Sequence, residues 1–229
     1  MSDVTFYGNR LSPFVEKVCR AAAYKQVPHT LQDLGFTELA KASPVTRKIP
    51  VMKIGKETVY DSTFILRRLD ALKPDPPLLD ADPEVAAAQR LLEDWSDESL
   101  YWQVMALRWC DENAARTVAQ MSPFLPAPLR PFARPLLKRV IGSSTRAQGL
   151  GRLPYDVLLR EIGNNLDDLV SLLGKRAFFY AERPSAADFA LFGELNTGCS
   201  DATPDFARLV SERPALSDWR KRVADASGG

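Results

Sequence analysis

The segment KPDPP, residues 73–77, divides the sequence into two parts with different hydrophobic patterns. Its three prolines favour a stiff, extended linker, because proline fixes its own φ and lacks a backbone N–H. Before the linker, strand-like and helix-like stretches alternate, whereas nearly every periodic stretch after it has the helical period. The sequence therefore predicts a small α/β domain over residues 1–74 and an all-helical domain over residues 84–229.

The first domain is predicted to have the order β-α-β-α-β-β-α. Its third and fourth strands are joined by GKE, a turn typical of hairpins. In its first helix, Phe14, Val18 and Ala22 form an apolar row at i, i+4 spacing. Strands are expected at residues 3–7, 27–31, 49–54 and 58–60, and helices at residues 13–26, 37–42 and 62–72.

The second domain is predicted to be helical at both ends. The motif Ser185-Ala-Ala-Asp188 has the spacing of a capping box and predicts the start of a buried helix. A last helix is expected from Pro214, because proline suits the first helical position. The other helices are expected at residues 83–112, 155–173 and 185–196.

The middle of the second domain, residues 113–155, has an unusual composition. It contains seven Arg or Lys, six prolines and no Asp or Glu. No secondary structure is predicted for it. Two interpretations stay open, a solvated insertion between helices or a basic lip that attracts anionic ligands or membrane surfaces.

Composition excludes several classes of protein. Hydrophobic residues make up 45% and charged residues 26%, as in soluble globular proteins, and a net charge of +1 favours no nucleic-acid partner. No apolar stretch is long enough for a membrane span, and MSDVTFYGNR lacks the pattern of a signal peptide. Three scattered cysteines and one histidine predict a reducing compartment, with neither a disulfide framework nor a metal site.

Four motifs together carry a family resemblance. In chain order they are YGNRLSPFVEKV (7–18), RKIPVM (47–52), YDSTFILRRL (60–69) and RPSAADFALFGEL (183–195). Their order and spacing resemble those of glutathione transferases, especially serine-type enzymes of the tau-like and related bacterial groups. The resemblance implies a thioredoxin-like α/β domain that binds glutathione as co-substrate, followed by the helical domain of that family.

Ser12 is the catalytic candidate that this resemblance implies. A free thiol has a pKa near 8.5, and a helix N-terminus with a nearby hydroxyl donor stabilises its anion. Ser12 directly precedes Pro13, a favoured first helical residue. The alternative is that Ser12 only caps its helix, by bonding the N–H near Val15. Tyr7, at the end of the first strand, is the less favoured activator or simply a strand aromatic.

The glutathione-binding candidates lie in two short motifs. Pro50 suggests a strand edge or a cis bond, because proline is not accommodated inside a strand. The resemblance implies that the backbone of Ile49 holds the cysteinyl part of glutathione and that Lys48 meets the glycyl carboxylate. It also implies that Ser62 binds the γ-glutamyl carboxylate and Asp61 the amine. The alternatives are a solvated Lys48 and an Asp61-Ser62 pair that only caps a helix.

The pocket for a second substrate is expected to combine Phe14 with one face of the long helix after the linker. That face could instead belong to the core or to a dimer contact. Its residues are Tyr101, Met105, Arg108 and Trp109.

The resemblance implies a cytosolic homodimer that acts in detoxification on hydrophobic electrophiles. Because serine cannot form a mixed disulfide, Ser12 favours conjugation, or glutathione-dependent elimination, isomerisation or peroxide reduction, over disulfide reduction. Cys19, more than a helical turn beyond Ser12, is expected in the core. The alternative function is a carrier of hydrophobic anions that uses the basic segment without turnover.

Overall fold

The computed structural model describes residues 4–228 and contains a four-stranded mixed sheet followed by helices. The strands lie in the order β2-β1-β3-β4, with β1 parallel to β2 and antiparallel to β3. The predicted fold class, a thioredoxin-like α/β region followed by a helical region, is confirmed. The strands are β1 (Val4–Gly8), β2 (His29–Asp33), β3 (Val51–Ile54) and β4 (Glu57–Tyr60).

Two predicted strands begin later than expected because of prolines. The strand expected at residues 49–54 starts at Val51, after Pro50, which has no N–H to give to a sheet. The strand expected at residues 27–31 starts at His29, after Pro28. The helices of this region agree with the expected positions to within two residues. They are α1 (Pro13–Tyr24), α2 (Phe36–Ala42) and α3 (Ser62–Leu72).

The register of the sheet brings three loops to one end. Tyr7 of β1 pairs with Val51 of β3, and Val51 pairs with Tyr60 of β4. The chain therefore leaves β1, enters β3 and leaves β4 at the same sheet end. The loop residues that carry the predicted glutathione contacts, 48–50 and 61–62, lie there with the start of α1.

The long helix predicted at residues 83–112 is divided and ends earlier. A five-residue π-helical turn, Ser96–Leu100, connects α4 to α5. A helix that was not predicted follows α10. No helix in the described range is long and apolar enough to cross a membrane. The larger helices here are α4 (Pro83–Trp95), α5 (Tyr101–Trp109), α9 (Tyr155–Leu173), α10 (Ala186–Gly198), α11 (Pro204–Ser211) and α12 (Pro214–Ala226).

The basic segment folds into short helices rather than an open loop. Three α-helices are connected by 3₁₀ and π turns, and Trp109 of α5 joins their small apolar cluster. All seven of its Arg and Lys residues are exposed. The helices are α6 (Ala114–Met121), α7 (Ala133–Leu137) and α8 (Ser143–Gln148).

One continuous apolar core contains residues from both the sheet region and the helical region. The proposed boundaries at residues 74 and 84 therefore stay a prediction. The central helix of this core is α10, which is buried along most of its length. Asp188 in its first turn is fully buried and accepts hydrogen bonds from the Ser185 N–H, the Phe179 N–H and Trp219 Nε1. The predicted capping motif thus begins a buried helix.

The contact between α1 and α10 needs a glycine. A Cβ on Gly193 would lie 2.4 Å from the carbonyl oxygen of Pro13, the residue after Ser12. This backbone oxygen cannot swing aside, so the two helices would have to separate. The position of the α1 N-terminus therefore depends on Gly193.

We expect Gly193→Ala to destabilise the protein by about 2 kcal/mol, as overpacking does. Gly163→Ala, in α9, is the matched control. A Cβ on Gly163 would lie no closer than 3.6 Å to any neighbouring atom, and alanine favours a helix more than glycine does. Urea unfolding measures both variants. Equal stability of the two variants would contradict the close approach at Gly193.

Candidate functional site

Ser12 occupies the N-cap position of α1, but its hydroxyl makes no capping hydrogen bond with any described residue. The cap is made by the backbone, since the Ser12 carbonyl accepts the N–H groups of Val15 and Glu16, both at 3.1 Å. The Ser12 N–H donates to the Asn9 carbonyl at 2.9 Å. The side chain is half-buried and free to donate to a ligand.

The second loop of this sheet end contains Lys48, Ile49 and Pro50. The Ile49–Pro50 peptide bond is cis, which was one of the two predicted alternatives. Pro50 is buried, Ile49 is half-buried and Lys48 is exposed. No acidic side chain in the described range pairs with the Lys48 ammonium, so it can meet an anion from solution.

The third loop begins α3 in an unusual backbone conformation. Asp61 has φ 75°, which is uncommon for a residue other than glycine and costs about 1–3 kcal/mol. Its Oδ1 accepts the Thr63 N–H at 2.9 Å, so Asp61 caps α3 as one alternative expected. Ser62 is only 5% exposed. Backbone strain held at such a loop is typical of binding sites.

A buried ion cluster, missed at the sequence level, lies directly behind this loop. The Lys17 ammonium of α1 is fully buried, 2.8 Å from Glu93 Oε1 and 2.6 Å from Asp97 Oδ2. It also donates to Ser62 Oγ and Thr63 Oγ1, each at 3.4 Å. The sequence did contain one indication that Lys17 is buried. It lies three residues after Phe14 and four before Ala21, a spacing that places it on the inward face of α1.

The buried groups in and around this cluster have shifted pKa values. Burial alone would lower the pKa of Lys17, but the carboxylates of Asp97 and Glu93 outweigh it and raise that pKa. Burial raises the pKa of Asp97 to about 6, against the opposing effect of Lys17. Burial also raises the pKa of Glu194 well above its usual value.

Two of the predicted pocket residues lie in contact beside this site. The rings of Phe14 and Tyr101 are 5.0 Å apart, and Trp102 packs edge-on against Tyr101 at 5.2 Å. Burial raises the pKa of Tyr101 to about 12, so its phenol stays neutral. Met105, one turn further along α5, is half-buried against the cluster of the basic segment. Phe14 and Tyr101 form an aromatic wall next to the α1 N-terminus.

Arg108 does not line an open pocket, so its predicted role is corrected. It is 4% exposed and donates to the Thr197 carbonyl, Ser200 Oγ and Gln120 Oε1 at 2.6–3.2 Å. Seven residues of helix span roughly 10 Å, so residues on one face of α5 can meet different neighbours. The first turn of this face packs against α1, and its last turn packs against α10 and α6.

Trp109 also differs from its prediction. It is 4% exposed and packs in the apolar cluster of the basic segment, away from Phe14 and Tyr101. It lines a separate cavity at the end of α5. It therefore does not extend the aromatic wall.

Tyr7 lies away from Ser12. Side chains alternate along a strand, and the Gly8 position of β1 faces Val15 of α1, so Tyr7 points to the opposite face of the sheet. Its ring lies beneath the Lys53 ammonium, 4.8 Å from the centroid. This geometry disfavours Tyr7 as an activator of a group at the α1 N-terminus.

Neither a reactive thiol nor a set of metal ligands is found in this region among the described residues. Burial raises the pKa of the Cys19 thiol to about 12, which suits the expected core position. In the part of the chain that the structure describes, no group of three or more His, Cys, Asp or Glu side chains is placed to hold a metal ion.

We expect Lys17→Met to destabilise the protein by about 3 kcal/mol at pH 8, because it leaves two buried carboxylates unpaired. Lys17 lowers the pKa of Asp97, so without it the folded-state value lies above about 6, while the unfolded value is 3.8. Protonation then favours the folded variant, and the loss should shrink as pH falls from 8 to 5.

Urea unfolding across this pH range measures the effect. Lys56→Met, at an exposed hairpin turn, is the control and should change stability little at any pH. A loss for Lys17→Met that grows as pH falls would contradict the assignment of the cluster.

Known proteins resemble this chain in sequence and in fold. Residues 6–77 match the family model described as Glutathione S-transferase, N-terminal domain. The isoprene-epoxide–glutathione S-transferase of Rhodococcus sp. (strain AD45) is 24% identical over 93% of this chain and 91% of that protein. Metaxin-2 of Mus musculus is 22% identical over 76% of this chain and 72% of that protein.

The crystal structure of the β-etherase LigF from Sphingobium sp. strain SYK-6 has the same fold, with a TM-score of 0.73. It is 20% identical and covers 98% of this chain and 95% of its own. At this identity, the likeness establishes the fold. The match to the glutathione S-transferase N-terminal domain model therefore covers residues 6–77, and the chain as a whole has the fold of the glutathione S-transferases.

Proposed function

We propose that this chain is a glutathione transferase in which the Ser12 hydroxyl stabilises the glutathione thiolate. The observation that carries the proposal is that the Ser12 hydroxyl, at the N-terminus of α1, makes no capping hydrogen bond with residues 4–228. It lies at the same sheet end as the loops of Ile49–Pro50 and Asp61–Ser62. A serine that only capped its helix would use its hydroxyl there.

The chemistry follows from the acidity of a thiol. With a pKa near 8.5, only a few per cent of glutathione is thiolate at pH 7. The free N–H groups at the start of α1 and a hydrogen bond from Ser12 Oγ both favour the anion. Each unit by which they lower the thiol pKa corresponds to about 1.4 kcal/mol of interaction with the thiolate. The thiol proton passes to solvent, and the thiolate then attacks an electrophilic carbon. The bond from that carbon to its leaving group, or to the oxygen of an epoxide, breaks as the new C–S bond forms.

The tripeptide is proposed to lie across the three loops. The backbone of Ile49, ahead of β3, pairs with the cysteinyl residue as an added strand would. The Lys48 ammonium meets the glycyl carboxylate. Ser62 and its N–H meet the γ-glutamyl carboxylate, and Asp61 meets the amine, with the Lys17 cation 3.4 Å behind Ser62 Oγ.

The second substrate is proposed to be a hydrophobic electrophile packed on Phe14, Tyr101 and Met105. Serine at position 12 favours conjugation, or glutathione-dependent elimination, isomerisation or peroxide reduction, because it cannot form a mixed disulfide. The names of two similar proteins add an epoxide and a β-ether to the substrates worth assaying. A cytosolic homodimer acting in detoxification completes the proposal.

We expect Ser12→Ala to lower kcat about 100-fold, because removing one hydrogen-bond donor to a catalytic anion typically has an effect of this size. Glutathione should still bind to this variant. The pKa of bound glutathione, followed by the ultraviolet absorbance of its thiolate, should rise in parallel. Turnover is measured with a chloronitrobenzene, an epoxide, a β-ether and a hydroperoxide.

Tyr7→Phe is the matched hydroxyl deletion and should leave both readouts unchanged. If Tyr7→Phe abolished turnover while Ser12→Ala left it intact, Tyr7 would be the activator. Wild-type protein that binds glutathione but turns over none of the four substrates would favour the carrier function over the enzyme.

Lys48→Met should weaken glutathione binding about tenfold, because a hydrogen bond to a charged carboxylate is lost. Calorimetric titration with glutathione measures the affinity. Lys56→Met removes an equally exposed ammonium from the turn between β3 and β4 and should bind as the wild type does. Equal affinities for the two variants would remove Lys48 from the site.

A further inference from the structure

The helical run at residues 127–148 carries an apolar row on its exposed side. A 3₁₀ turn, α7, a π turn and α8 follow one another along it without a break. Phe132, Leu136 and Val140 recur every four residues, so their side chains lie in one row along the surface. Phe132 is 64% exposed and Val140 is 59% exposed. Leu129, three residues before Phe132, is exposed as well and extends this outer row.

The packing of α7 keeps the outer row in water. Ala133 and Leu137 each follow a member of the row by one residue, and both are buried in the apolar cluster that includes Trp109. Successive residues of a helix point about 100° apart, so burying these two side chains turns Phe132 and Leu136 outward. The row could face inward only if this cluster came apart. Exposed apolar patches mark surfaces that bind a partner.

Cations without acidic partners lie on the same side of the run. Phe132, Arg139 and Arg146 are spaced by seven residues, about two helical turns, which puts them on one side. Both arginines are exposed, and neither forms an ion pair with an acidic side chain of residues 4–228. Residues 113–155 contain seven Arg or Lys and no Asp or Glu, although the whole chain has a net charge of only +1. The outer row therefore lies in a field that attracts anions.

We propose that this side of the run binds the surface of a membrane that contains anionic lipid. The outer row enters the boundary between the headgroups and the acyl chains, and Arg139 and Arg146 pair with lipid phosphates. The long arginine side chains reach the headgroups while the apolar side chains go deeper. Apolar burial and charge attraction then act together, as in other helices that lie on a membrane.

The size and chemistry of the surface favour a membrane over other partners. The outer row offers on the order of a few hundred Å² of apolar surface, whereas each partner of a stable protein complex buries about 800 Å². A nucleic acid or a small soluble anion would pair with the arginines but leave Phe132 and Val140 in water. A neutral membrane would take the apolar row but leave the arginines without a counter-charge. A bilayer with anionic lipid satisfies both.

Co-sedimentation with lipid vesicles tests the proposal. Phosphatidylcholine vesicles with added phosphatidylglycerol are the anionic probe, and vesicles of phosphatidylcholine alone are the neutral comparison. A cation near an anionic membrane strengthens binding about fivefold, so Arg139→Gln/Arg146→Gln should bind the anionic vesicles roughly 30-fold more weakly than the wild type. Phe132→Ser/Val140→Ser should bind about tenfold more weakly or less, because less apolar surface leaves water.

Each double variant has a matched control outside residues 113–155. Arg90→Gln/Arg160→Gln removes two exposed arginines, and Val45→Ser/Leu172→Ser removes two exposed apolar side chains. Both controls should bind the anionic vesicles as the wild type does, and added salt should weaken the binding of all three proteins. All the replaced side chains are exposed, so every variant should unfold at the same urea concentration as the wild type.

Binding that does not depend on these residues would overturn the proposal. Equal binding to the two kinds of vesicle would do so, as would equal binding by the wild type and either double variant of the run. A smaller oligomer of Phe132→Ser/Val140→Ser in ultracentrifugation would also overturn it, because the surface would then be a contact between copies of the chain. Arg139→Lys/Arg146→Lys keeps the charge and should retain binding. These comparisons do not require that the protein turns over glutathione.

Discussion

The ammonium of Lys17 fixes the two helix N-termini on which the candidate site depends. Its partners are 45 residues away at Ser62 and 80 residues away at Asp97, so one cation joins α1, α3 and the π turn after α4. Burying a cation is unfavourable unless it is paired, and here two carboxylates and two hydroxyls surround it. Ser12 begins one of these helices and Ser62 the other. The spacing between the proposed thiol site and the proposed carboxylate site is therefore set by Lys17, which contacts neither of the proposed ligand groups.

Much of the sheet end could be predicted, because local pattern and chain order determine it. The apolar strands around Phe6 and Val51, and the hairpin turn at Gly55, imply which loops share an edge. Lys17 could not be placed, because a lysine on an apolar helix face can snorkel to water or pair inside, and its partners lie far along the chain. Arg108 was misplaced for a related reason. Helical periodicity tells which residues share a face but not which element covers each part of it.

The basic segment could not be predicted because its helices are too short to establish a period. α7 has five residues and α8 has six, and prolines interrupt the stretches between them. Its small core also includes Trp109, which the pattern of α5 assigned elsewhere. The charge asymmetry of residues 113–155 was visible in the sequence. Whether these charges lie on a flat surface or around a cavity depends on packing contacts that the local sequence pattern does not specify.

The number of residues in the π turn at Ser96–Leu100 determines how α5 is rotated about its own axis. The turn lies between Asp97, which holds Lys17, and Tyr101, which packs on Phe14. One residue of an α-helix turns the chain by about 100°. Deleting one residue here would move α5 only a short distance along its axis but would turn Tyr101 away from Phe14. Related chains that differ by one residue at this turn would therefore present a different side of α5 to Phe14, even with identical side chains.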